Sequence, residues 1–106
     1  MKILCAPRQS GKTTWLIQEC AKYGGYIVCH SYKEAVRVHR QAKKLGYNIP
    51  FPLTFEEFLL KLYHGTGVEK IYIDNADLLV QYISTVPIAA ITLTSNKKIQ
   101  EEEKND

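Results

Sequence analysis

The sequence predicts an α/β fold, a three-layer sandwich whose mostly parallel sheet of four to five strands carries helices on both faces. Three observations carry that prediction. Short apolar runs rich in β-branched residues alternate with longer segments of helical periodicity, turn residues punctuate the junctions, and 106 residues supply one hydrophobic core but not two.

The elements follow in chain order. Residues 2–6, KILCA, form a short apolar run that stops at Pro7, as a buried strand does. SGKTTWLIQECAKYGG places Trp15, Leu16, Cys20 and Tyr23 at helical spacing and ends on Gly24-Gly25. YIVCHS, 26–31, is a second strand. YKEAVRVHRQAKKLGY reads as a helix closing at Gly46, with Ala35, Val38, Ala42 and Leu45 in one apolar stripe, and NIPFP then interrupts the chain. Thr54-Phe55-Glu56-Glu57 has the T-x-x-E form of a capping box and opens a helix expected to reach about His64, with Phe55, Phe58, Leu59 and Leu62 inward. KIYID, 70–74, is a third strand. ADLLVQYIS is a short helix for which Asp77 reads as the N-cap, and IAAITLTS, 88–95, is the last strand.

Composition excludes several classes. With 45% hydrophobic and 24% charged residues the chain has the profile of a soluble globular protein. No apolar run approaches the ~20 residues of a membrane span, and MKILCAPRQS lacks a signal-peptide core, so a cytoplasmic protein without a membrane partner is expected. Cys5, Cys20 and Cys29 lie in apolar segments without C-x-x-C spacing, which fits core thiols better than disulfides or zinc. Residues 1–96 are expected to form one domain. Residues 97–106 are a charged tail expected to be flexible or to extend the last element, and with the tail's acidic excess set aside residues 1–95 hold net +4.

Ligands of open α/β sheets bind beyond the carboxyl ends of strands, which directs attention to the loops after residues 6, 31, 74 and 94. The first holds the most specific signal. Ala6-Pro7-Arg8-Gln9-Ser10-Gly11-Lys12-Thr13 has the Walker A form, with Ala6 at the leading glycine position, between a strand and a helix. A phosphate chain needs several donors at once, and a loop winding into a helix start presents successive backbone amides with the positive end of the helix dipole. Gly11 leaves room for phosphate, Lys12 supplies a cation for the β and γ phosphates, and the Thr13 hydroxyl suits Mg²⁺, with Thr14 following in the first helical turn.

On these residues the chain resembles the P-loop NTPase superfamily over most of residues 1–96. More narrowly, its element order resembles the first RecA-like domain of helicases and phage packaging ATPases. The resemblance implies ATP and Mg²⁺ as cofactors. IYIDNAD looks like a Walker B strand that delivers Asp74 to the outer sphere of the magnesium ion, and Thr94 and Ser95 resemble a sensor segment near the γ-phosphate or the attacking water. Two departures bear on activity. A second RecA-like domain has no room, so the chain alone is not expected to be a motor and a protein partner or homo-oligomer is implied. Asn75 stands where related enzymes carry a catalytic Glu, and an amide orients water without deprotonating it. Lys12, Asp74 and Asn75 are thus the candidate catalytic residues of a weak or partner-dependent ATPase.

Residues 33–44 carry five Lys or Arg against one Glu, and Lys33, Arg37, Arg40 and Lys44 share a narrow arc opposite the apolar stripe. That ridge suits a phosphate backbone, so DNA or RNA is a candidate partner, although aromatic residues interleaved with the cations are sparse. A nucleotide-gated binding module without turnover is the alternative. A small nucleotide kinase is disfavoured, because no Arg follows residue 40 to build a lid.

Overall fold

The computed structural model describes residues 1–7, 10–94 and the backbone of 97–100. The described elements are β1 (Lys2–Cys5), α1 (Lys12–Tyr23), β2 (Tyr26–Cys29), α2 (Tyr32–Leu45), β3 (Leu53–Thr54), α3 (Phe55–Leu59), β4 (Ile71–Ile73), α4 (Ala76–Tyr82) and β5 (Lys97–Gln100). This is an α/β fold with a small open three-stranded parallel sheet, ordered β3-β2-β4, and four helices. Tyr26, Ile27 and Val28 lie opposite Ile71, Tyr72 and Ile73, while Val28 and Cys29 lie opposite Leu53 and Thr54.

The period-two alternation of a strand assigns the residues of β2 to opposite sides. Ile27 and Cys29 pack with Leu16, Ile17 and Cys20 of α1 and Ala35, Val38 and Ala42 of α2. Val28 packs on the other side with Phe55 of α3 and Leu79 of α4. Helices therefore cover both faces, and β2, with Ile27, Val28 and Cys29 fully buried, is the keystone of both clusters. Each such aliphatic side chain contributes about 1.5–3 kcal/mol by leaving water.

Local chemistry sets the boundaries. Ser31 caps α2 by accepting from the Glu34 amide at 3.2 Å, and Gly46, left-handed at φ 87°, closes it while the Gly46 and Tyr47 amides reach the Lys43 and Ala42 carbonyls. The expected capping box is present in both directions: the Glu57 amide donates to the Thr54 hydroxyl at 3.1 Å and the Thr54 amide to the Glu57 carboxylate at 2.8 Å.

Where the chain enters β2, Gly25 adopts φ 111°, and a Cβ there would run into the Lys70 carbonyl oxygen at the approach to β4. Backbone strain and a clash with main chain coincide at this position. Gly25→Ala is expected to destabilise the protein by about 3 kcal/mol, read as a lower denaturant midpoint with an unchanged slope.

The structure corrects several expectations. The helix opened by Thr54 ends at Leu59, not near His64. Lys61 takes φ 58° and its amide reaches the Phe58 carbonyl while the Leu62 amide reaches that of Glu57, the same terminating motif as at Gly46 but with lysine in the customary glycine position. Leu59 and Leu62 are accordingly exposed, as is Leu45 beside its own helix end. Asp77 is not the N-cap: Asn75 holds that place and Asp77 lies within the first turn of α4.

Residues 88–94 form no strand. The Gln81 side chain holds the chain just after α4 instead, accepting from the Ile88 amide at 2.8 Å and donating to the Val86 carbonyl at 3.0 Å, and residues 89–94 run exposed. Consequently the described residues form no single sheet of four to five strands. β1 pairs in parallel with β5 as a separate two-stranded ladder, with Lys2 opposite Lys97 and Cys5 opposite Gln100. Among the described residues no helix is long and apolar enough to cross a membrane.

Candidate functional site

The loop between β1 and α1 is shaped by its helix start. Gly11 is the N-cap of α1 in a left-handed conformation (φ 89°, ψ 14°) with open space around its absent Cβ, so its backbone angle rather than crowding requires glycine. Lys12, the first helical residue, curls back and donates from Nζ to the Ala6 carbonyl at 2.8 Å, bridging the loop from one end to the other. The Ser10 hydroxyl donates to the Pro7 carbonyl. Arg8 and Gln9 lie outside the described residues.

The next residue reaches across the fold. The Thr13 hydroxyl donates to Asp74 Oδ2 at 3.0 Å, joining two positions 61 residues apart. Asp74 follows β4, its amide donates to the Val28 carbonyl at 3.1 Å, and it is the one buried charged residue among those described, 3% exposed. Burial raises its carboxyl pKa above the ordinary value, and Glu34 adds to this. The Thr13 hydrogen bond, Arg37 and Lys12 oppose the rise. The same surroundings act on Cys29 at the end of β2: burial first, then Asp74 and Glu34, push its thiol up to about 12, so it stays a neutral core thiol.

Thr14 faces the other way. Its hydroxyl accepts from Gln41 Nε2 at 2.9 Å, Gln41 Oε1 accepts from Arg37 Nη1 at 3.3 Å, and Arg37 is paired with Glu34 through two bonds of 2.8 and 2.6 Å. A polar chain thus runs from the first turn of α1 to the exposed side of α2. The bond to Glu34 is the main influence holding the Arg37 guanidinium pKa above its usual value.

The structure therefore brings Ala6, Lys12, Thr13 and Asp74 into one place, with Thr14 tied to α2 at its edge. Asn75 adjoins Asp74 and is half-buried in a left-handed conformation, φ 57°. Thr94 lies in the exposed segment 91–94 and has no hydrogen bond to the Lys12–Thr13–Asp74 group, while Ser95 lies outside the described residues. Lys33, Arg40 and Lys44 are exposed on α2, and Arg37 differs from them in having an acidic partner. Gln41 and Glu34 are the polar residues that sequence reasoning missed. The i,i+3 spacing of Glu34 and Arg37 was a visible signal for that pair, whereas nothing local announces the bond from Gln41 to Thr14.

The donor set near Asp74 is a carboxylate and a hydroxyl beside a lysine, hard oxygen ligands of the kind Mg²⁺ takes rather than the sulfur and imidazole of zinc sites. Among the described residues no group of three or more His, Cys, Asp or Glu gathers as an all-protein metal cage. Comparison of the chain with protein-family models, with curated proteins and with solved structures finds no match.

Proposed function

We propose that the protein binds Mg-ATP at the loop of residues 6–13, as a minimal RecA-like member of the P-loop NTPases. The observation that carries this reading is the 3.0 Å bond from Thr13 to buried Asp74 directly beside Lys12. A buried carboxylate is costly without a purpose, and here it sits behind a hydroxyl at a helix start whose amides suit phosphate. Thr13 and Asp74 would hold the magnesium ion and Lys12 would meet the β and γ phosphates. The bound ion would neutralise phosphate charge.

Titration calorimetry with ATP in Mg²⁺ and in EDTA tests the reading. Saturable binding that weakens in EDTA is expected, and no heat in either buffer would end it.

Asn75 favours slow or partner-dependent turnover, and with it the second reading, a nucleotide-gated module without hydrolysis. Its left-handed backbone adds a reason for the amide beyond chemistry, because Asn tolerates this conformation far better than Glu. Asn75→Glu is expected to gain phosphate release while losing about 1 kcal/mol of stability, and Asn75→Gly to keep both stability and ATP binding. Phosphate release unchanged in a folded Asn75→Glu protein would show that more than a base is missing.

A further inference from the structure

The outer side of α2 carries a feature that spacing along the chain hides. Phe51, from the segment after α2, folds back against the helix, with ring centroids 5.7 Å from Tyr32 and 5.2 Å from His39. Tyr32 is 68% exposed and Phe51 40% exposed, so this three-ring group faces solvent rather than a core. At 100° per residue Tyr32, His39 and Lys43 fall on one line of the helix within about 40°, and Lys33, Arg40 and Lys44 fall on a neighbouring line of similar width.

Among the described residues the charge of α2 is mainly positive. The acidic residue of α2, Glu34, is taken by Arg37, and the ion pairs among the described residues are that one and Lys2 with Glu19. Lys33, Arg40, Lys43 and Lys44 are exposed and outside both pairs. Solubility is ordinarily served by mixed charges, and exposed aromatic rings oppose it.

We infer that this face binds single-stranded nucleic acid, with bases stacking on Tyr32 and Phe51 and the phosphates following the cationic line. Rings beside a row of cations match the two parts of an unpaired strand, whose base faces are open. A duplex hides those faces and would use the cations alone. The inference names a partner beyond the proposed nucleotide site and needs no nucleotide bound, so it stands or fails separately from the ATP titration.

The test is fluorescence anisotropy of the full chain, without nucleotide, on a labelled oligothymidylate of about 20 nucleotides, on a duplex of equal length, and by co-sedimentation on phosphatidylcholine vesicles containing phosphatidylserine. Binding to the single strand at least about tenfold tighter than to the duplex is expected. Tyr32→Ala is expected to weaken it at least about fivefold with the salt slope unchanged, and Tyr32→Phe to stay within about twofold. Replacing Lys33 and Arg40 by Gln is expected to flatten the salt slope by about 0.7 for each phosphate that the variant no longer neutralises. Absence of saturable oligonucleotide binding, equal affinity for duplex, a neutral Tyr32→Ala, or vesicle binding in place of oligonucleotide binding would each overturn the inference. Because Tyr32 is mostly exposed, Tyr32→Ala should fold normally, and Tyr32→Phe keeps the ring if it does not.

Discussion

Lys12→Ala is expected to weaken ATP binding by about 100-fold while leaving the fold intact. In the proposed reading the ammonium group would meet the β and γ phosphates, and a charge-assisted contact of this kind is worth about 1.5–3 kcal/mol, or one to two orders of magnitude in affinity. Its structural role is slight. It donates one hydrogen bond to the Ala6 carbonyl, and it stands at the first position of α1, where Ala is an excellent helix former. The expected pair of results is calorimetric loss of ATP binding beside an unchanged denaturation curve. Equal affinity in the variant would remove the P-loop reading, because that reading rests on Lys12 as the cation for the β and γ phosphates.

Asp74→Asn is expected to make the protein more stable at neutral pH and less able to use Mg²⁺. The Asp74 carboxyl pKa is raised in the folded protein, chiefly by burial, above the ordinary 3.8. For a carboxyl shifted upward, folding favours the neutral form. The stabilising contribution is complete below the unfolded value and is lost as pH rises through the folded one. At neutral pH the ionised group is therefore a cost, which Asn avoids while still accepting from Thr13. The variant's denaturation midpoint is expected to exceed the wild type's at pH 7 to 8, with the gap closing as pH falls toward 3.8. Mg²⁺-dependent ATP affinity is expected to fall about 10- to 100-fold in the same variant. A variant less stable than wild type across this range would show that the hydrogen-bonded carboxylate holds the fold, and unaltered Mg²⁺ dependence would free Asp74 from any metal role.

Much of this architecture was legible because its signals are local. β1, α1, β2 and α2 announce themselves through apolar period and Gly stops, and the capping box of Thr54 and Glu57 needs four residues to read. Failures arose where a local signal was disguised or overruled. Lys61 ends a helix in a conformation usually advertised by Gly, so the apolar Leu59 and Leu62 suggested a continuation that is not there. The β-branched run 88–95 has strand composition, yet strands need a neighbour, and Gln81 binds the chain at 86 and 88 before it reaches one. At the site, the loop and Asp74 were legible through motif form. The link from Thr14 to Gln41, and the return of Phe51 to Tyr32 and His39, depend on how α2 packs, which pattern along the chain does not encode.

The two adjacent threonines of α1 have a kinetic consequence. Thr13 is fastened to the end of β4 and Thr14 to α2, so the helix start is braced from two directions. A phosphate-bearing ligand at the start of α1 would meet a helix turn held by Thr13 and Thr14 and lose less further entropy in ordering it. Its association would then proceed without a slow conformational phase, and differences among nucleotides would appear as residence times on the loop rather than as arrival rates.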